Sequence, residues 1–502
     1  MTDSQTTIGT FSKILQYAFW TLLLVVFPLT LDPISILEGG GSRDRAVLIP
    51  KALMLTLTWF TGLIAVVLSY PKTRLLPNYK TLRGIPVSLY FLLLALVAIL
   101  VSALTSPYAS TAVNLIGSRE RLDGALVQIT WYSLAFIGAA LTLRPMVRYS
   151  HLIGLIAVGS SLVALWTLLQ GYGIEPLVLF GADWRSQNAA PIGPLANSGY
   201  VGGYVATLLL VMLAWIMQSE RFRPLWALPI VLSAAAIVMS ENRAGALAVL
   251  ILWPILAITY AVQYRRWMRI ILLSALLLGG GVVVWASHHE RKSLQPAQLT
   301  LALQGEDNDT NIRLVFWSIA AKMLRDTPWL GFGPQGFEQG LWQYASEPQK
   351  RMLVEGDLPE NAYNIVFTET PIVFYNIPER DERQVFRAFS DKAHNYLLDF
   401  GLNAGLIGLA AFMLAYLSAL WSMFRARTPL SQALAFGLLG YGVFGMTWFA
   451  SLAVDPVMSG LLGAGIGAAW AERDAKTTAS GSGASAEEAS DSPPRSEPEA
   501  AA

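Results

Sequence analysis

The sequence predicts an all-α polytopic membrane protein of about twelve transmembrane helices with one large extracytoplasmic loop. Three observations carry that reading. Of the 502 residues 54% are hydrophobic and only 14% charged, and the apolar residues gather into runs of about 20, the length that spans hydrocarbon. The basic residues fall in alternate connections, and one connection, residues 288–393, is far longer than the rest. The formal net charge of +1 by itself says nothing about partners, because the charges are segregated by loop; no nucleic-acid partner is expected. With no cysteine in the chain, disulfides, thiolate catalysis and cysteine-ligated zinc are excluded.

Taken in order, the expected spans are 12–31, 51–70, 85–105, 124–143, 151–170, 198–217, 224–240, 244–262, 268–287, 394–423, 431–451 and 454–470. The first run is longer than a signal-peptide core and lacks a strongly basic leader, so it reads as a retained helix. Basic residues at Lys72, Arg74, Lys80 and Arg83, at Arg144 and Arg148, at Arg221 and Arg223, at Arg265, Arg266 and Arg269, and at Arg425 and Arg427 mark every second connection as cytoplasmic. Both termini are then cytoplasmic. The organisation becomes helices 1–9 over residues 1–287, a large loop with short helices over 288–393, helices 10–12 over 394–471, and a tail over 472–502. That tail, built from Ala, Ser, Glu, Pro and Gly, is expected to be disordered.

The contents of the large loop argue for order. Ile312, Val315, Phe316, Ile319, Ala320 and Met323 repeat with helical spacing, and "DTPWLGFGPQGF" marks a tight turn anchored by aromatics. "EDNDTN" places Asp307 and Asp309 at the spacing of a divalent-metal group, but Asp before a helix is also the ordinary capping residue, and no metal is assigned.

Candidate chemistry collects at the extracytoplasmic ends of the helices. Arg243, in the short turn "MSENRAGALAVL", either pairs with Glu241, snorkels to headgroups, or faces a cavity. Several arginines converging there would suit a multiply charged anion, because the planar guanidinium meets phosphate oxygens in pairs. A lipid-linked pyrophosphate is the natural candidate. His394 opens the tenth span beside Asp391 and Asn395, and reads either as an interfacial residue or as a general base for a hydroxyl. Gly401, Gly405 and Gly408 share one face beneath it, as helix-packing residues or as a smooth groove.

"SDKAHNYLLDFGLNAGLIGLAAF" resembles the C-terminal signature of the O-antigen ligase and O-antigen polymerase superfamily, in which Asp-x-x-His-Asn opens a glycine-bearing helix. "APIGPLANSGYVGGYVATLL", "SENRAGALAVLIL" and "RLVFWSIAAKMLRDTPWLGFGPQGF" resemble three further segments of that family in the same order, although Pro194 and Ser198 depart from its Gly-Thr-x-x-Asn-Pro-Asn pattern. The resemblance implies a GT-C-like, metal-independent, inverting glycosyltransferase of the bacterial inner membrane that needs no cofactor. Such enzymes move a glycan from undecaprenyl pyrophosphate to an acceptor hydroxyl, on lipid A core, a second glycan or a protein. Carried onto this chain, it implies His394 as base, Asp391 and Asn395 as its orienting partners, and Arg243 and Arg313 on the pyrophosphate, with Arg185 and Arg121 as further candidates for that anion. The expected function is ligation, with polymerase and protein O-oligosaccharyltransferase as alternatives in the same class. A solute transporter is the alternative from another class, and it would need broken helices with polar groups near the midplane.

Overall fold

A computed structural model describes residues 2–32, 43–70, 85–118, 121–176, 190–220, 223–287, 308–355, 358–359, 361–368, 371–378, 380–387 and 392–490. Each expected span overlaps a helix. The bundle begins with α1 (Thr2–Thr21), which runs on through a π turn to Leu29, and α2 (Arg43–Ser69). α3 (Val87–Thr105), a short α4 (Thr111–Ile116), α5 (Ala125–Leu143) and α6 (Tyr149–Gly171) follow. Next come α7 (Ser198–Gln218), α8 (Ala227–Met239), α9 (Arg243–Tyr264) and α10 (Trp267–Ser287). Among the described residues nine helices are long and apolar enough to cross a membrane, and the protein is a multi-pass membrane protein.

The large loop contributes α11 (Asn308–Asp326), α12 (Gly336–Tyr344) and α13 (Glu347–Glu355). It also holds a three-stranded antiparallel sheet that the sequence reading lacks: β1 (Tyr363–Phe367), β2 (Ile372–Ile377) and β3 (Arg380–Arg387), in the order β1-β2-β3. Those strands are five to eight residues long, too short for a periodicity to stand out. Their inner face packs Val373 against Trp342 and Val354, which makes a small core separate from the bundle.

The bundle closes with α14 (Tyr396–Arg425), α15 (Pro429–Gly445) and α16 (Asp455–Ser490). α16 continues well past residue 472, so that part of the tail is helical where disorder is expected. Its alanines and glutamates are good helix formers, and the chain enters the segment already helical, so no new nucleus is required. Residues 491–502 lie outside the described residues.

Small residues set the closest crossings. Gly463 and Gly467 of α16 lie so near Ala135 and Ala139 of α5 that a Cβ on either glycine would strike main-chain atoms. α7 is buried along almost its whole length and forms the axis of the bundle. At the bundle end away from the loop, Arg266 donates to Met217 O at 2.8 Å and Arg269 to Ile216 O at 2.9 Å, neutralising the last carbonyls of α7. Fully buried Lys51 does the same for the first span, its Nζ donating to Phe27 O and Pro28 O at 3.0 Å each.

The loop is fastened to the bundle through a break in α14. Gly405 leaves the helix with φ 68° and ψ −177°, a conformation open essentially to glycine alone. The freed groups are satisfied by the turn after α11, where Leu406 N donates to Pro328 O at 2.7 Å and Phe332 N to Leu402 O at 2.6 Å. The glycine face below His394 is therefore divided. Gly405 receives the docked turn, while Gly408 rests on Ala98 of α3. An alanine at 405 would meet the Trp329 carbonyl and hold a strained backbone, which alone costs about 1–3 kcal/mol. Gly405→Ala is expected to lower the thermal unfolding midpoint clearly in detergent. Gly401→Ala should change it little, because the nearest side-chain atoms lie an ordinary 3.4 Å away. Equal midpoints for the two variants would refute the wedge.

Candidate active site at the loop end of the bundle

The turn 392–395 is built from both sides. Asn395 caps α14, its Oδ1 accepting from Leu397 N and Leu398 N at 3.1 Å each, and its Nδ2 donates to Met446 O at 2.8 Å. Ala393 N donates to Asp399 Oδ1 at 2.7 Å, folding the turn back on the first turn of the helix. Between these ties His394 is held at φ 54°, an unusual place for a residue with a Cβ and one that surrounding structure must enforce. Asn395 thus fixes the position of the histidine through the backbone and the helix start.

The imidazole sits in an aromatic frame. It stacks on Phe316 with centroids 5.8 Å apart and planes at 10°. Trp448 meets it edge-on at 5.7 Å and Phe449 at 4.8 Å. Those two rings stack on each other at 5.6 Å, and each carries an arginine. The Arg313 guanidinium lies 5.8 Å from the Trp448 ring centroid, and that of Arg121 lies 5.2 Å from Phe449. Arg121 also donates to the Tyr200 hydroxyl at 3.1 Å. A titratable ring and two guanidinium groups are therefore all fixed to one pair of stacked aromatics.

The supports of this arrangement come from distant parts of the chain. Arg121 sits in the loop Gly117–Gly124, which closes on itself as Gly124 N donates to Ile116 O at 3.2 Å. Two residues on, buried Asp123 pairs with Lys392 Nζ at 2.5 Å and accepts from Gln335 Nε2 at 2.6 Å. One carboxylate thus ties the arginine loop, the histidine turn and the docked turn of the large loop together. Behind the aromatic pair, Asp455 accepts from Tyr396 at 3.0 Å, Tyr441 at 3.1 Å and Ser451 N at 2.6 Å, which fixes the segment carrying Trp448 and Phe449. Tyr396 in turn shares a 2.6 Å hydrogen bond with Tyr132 of α5. A cavity of about 160 Å³ opens beside Arg121, bounded by Asp123, Asn197, Tyr200 and Ser451.

Of the residues singled out in the sequence, the structure brings His394, Arg313, Arg121 and Asn395 together. Arg243 stands at the same end on the exposed first residue of α9, which crosses α7 where Gly245 nearly touches Gly202. Arg185 and Asp391 lie outside the described residues, as does Asp307. Among the described residues no group of three or more His, Cys, Asp or Glu is placed to hold a metal. Sequence reasoning missed Trp448, Phe449, Lys392, Asp123, Gln335 and Asp455. The expected eleventh span ran to residue 451, but α15 ends at Gly445 and the "TWFASLAV" that follows is outside any helix, up to the start of α16 at Asp455. Its Asp-Pro pair before an apolar run is the signal of a new helix start that marked it.

Residues 228–413, from the second residue of α8 to the middle of α14, match the family model described as O-antigen ligase. That match supports the O-antigen ligase superfamily, and with it a multi-pass membrane enzyme of the O-antigen ligase and polymerase type. The matched segment contains Arg243, Arg313 and His394, whereas Arg121 and the Trp448–Phe449 pair join the site from either side of the O-antigen ligase segment. Compared with curated proteins, the chain matches none.

Proposed function

We propose that this O-antigen ligase-type enzyme transfers a glycan from undecaprenyl pyrophosphate to an acceptor hydroxyl at the outer face of the bacterial inner membrane, with lipid A core as the acceptor class. The observation that carries the reading is that His394, Arg313 and Arg121 all lie against the one Trp448–Phe449 pair. Displacement at an anomeric carbon forms a bond to the acceptor oxygen and breaks the bond to pyrophosphate. The hydroxyl proton goes to His394, and the charge growing on the leaving group is met by arginines that stay protonated throughout. Attack from the face opposite the leaving group inverts the anomeric centre. The cavity beside Arg121 would receive the pyrophosphate, and Arg243 would add long-range attraction from the neighbouring helix start.

The alternating basic connections support cytoplasmic termini and an outward-facing loop. Polymerase activity is the second reading, since polymerases and ligases share the donor chemistry and differ in acceptor. The test is transfer by the purified protein in nanodiscs from a defined undecaprenyl-pyrophosphate glycan, with lipid A core, a second lipid-linked glycan and a serine-rich peptide offered together. Covalent transfer to lipid A core supports ligation, and transfer to the second glycan shifts the assignment to polymerisation. No covalent product with any acceptor overturns the enzyme reading.

In that assay Arg313→Lys and Arg121→Lys are each expected to lose about 10²-fold in transfer, because a point charge cannot hold two phosphate oxygens in the fork geometry. Unfolding midpoints should stay close to that of the unaltered protein. Full activity of both lysine variants would leave the arginines a general electrostatic role only.

A further inference from the structure

The end of the bundle away from His394 carries a second cavity, of about 440 Å³, within the roughly 300–1,000 Å³ range of ligand clefts. It lies between the last turn of α14 and the outer part of α16. Arg425, the final residue of α14, holds its guanidinium 5.6 Å from the ring of Trp421 one turn earlier. From α16 come Trp470, Glu472, Arg473 and Lys476. The carboxylate is already engaged: Glu472 Oε1 accepts from Lys476 Nζ and Oε2 from Arg427 N, both at 2.6 Å. The lining thus carries three cations, Arg425, Arg473 and Lys476, against one carboxylate, Glu472.

An exposed apolar track leads away from the cavity along α14. Leu414, Leu417 and Trp421 follow one another along the same face of α14 and are 49%, 54% and 65% exposed. A ligand seated with a negative group between the arginines would thus have an exposed hydrocarbon track running from it along the helix into the membrane. Tryptophans at the cavity mouth match the depth at which indoles sit between hydrocarbon and headgroup. A small soluble anion would use the arginines but neither the indoles nor the track.

We propose that this cavity binds the phosphodiester headgroup of an anionic membrane phospholipid, with an acyl chain lying along Leu417 and Leu414. Basic pockets between helix ends at an interface are suited to such headgroups, since each cation near the surface adds to the attraction and the chains need not leave the bilayer. The site is remote from His394 and independent of the glycan-transfer reading.

The full-length protein in neutral detergent would be titrated with phosphatidylglycerol, phosphatidylcholine and inorganic phosphate, reading the thermal unfolding midpoint and lipid retention in native mass spectrometry. Phosphatidylglycerol is expected to raise the midpoint saturably, while the other two leave it unchanged. Arg425→Gln combined with Arg473→Gln should weaken that binding at least tenfold and leave the unliganded midpoint where it was. Undiminished affinity in the double variant would overturn the site, and an equal shift from phosphatidylcholine would overturn headgroup selection. An equal shift from inorganic phosphate would overturn the lipid as ligand.

Discussion

Replacing His394 with alanine is expected to reduce glycan transfer by about 10²–10⁴-fold, the contribution of a positioned general base, while binding of the lipid-linked donor survives. The donor keeps its arginines in that variant, since Arg313 and Arg121 lie against the rings of Trp448 and Phe449. Alanine also empties part of an aromatic frame, so a loss of activity alone would not separate chemistry from packing. His394→Phe provides the separation. A phenyl ring can stack on Phe316 and meet Trp448 and Phe449 edge-on as the imidazole does, but it takes no proton. Both variants should be inactive in transfer and competent in donor binding. Recovery of transfer in His394→Phe would make the residue a packing element and remove the base from the mechanism.

The bundle was legible in the sequence because hydrocarbon imposes one dominant rule, an apolar run long enough to cross with its backbone satisfied internally. Gly405 shows where that rule gives out. The glycine was visible on the helix face, but its break is completed by Pro328 and Phe332, some seventy residues earlier, and no local pattern announces such a partner. The same holds for the site. His394, Arg313 and Asn395 stood in recognisable segments, whereas Trp448 and Phe449 looked like the end of an apolar span. Their role depends on Asp455, which pulls the following segment into a turn by accepting from Ser451 N. Asp123 read as an unremarkable acid beside Arg121, because its partners Lys392 and Gln335 are more than two hundred residues away. The strands were missed for a local reason, since a five-residue run such as "YNIVF" is equally compatible with a buried helix segment.

Removing Lys392 is expected to destabilise the protein by about 3–5 kcal/mol, as breaking a buried ion pair on one side does. The Lys392 and Asp123 side chains are only 5% and 4% exposed, so solvent cannot take over the lost partner. In Lys392→Met the carboxylate keeps the Gln335 amide but loses its counter-charge, and the variant should unfold at a markedly lower temperature or fail to accumulate. Combining Lys392→Met with Asp123→Leu should restore much of the stability, because an apolar pair of similar volume needs no desolvation of charge. Activity is expected to behave differently. Asp123 is the point where the Arg121 loop, the His394 turn and the Gln335 turn meet, and an apolar pair holds them by volume alone, without directed bonds. The double variant should therefore fold yet transfer glycan poorly, mainly through a lower kcat, because the base and the arginine no longer share a fixed spacing. Thermal unfolding and steady-state transfer measured on the single and double variants distinguish the cases. If the double variant regains stability and full transfer together, the ion pair is a structural element with no part in aligning the site.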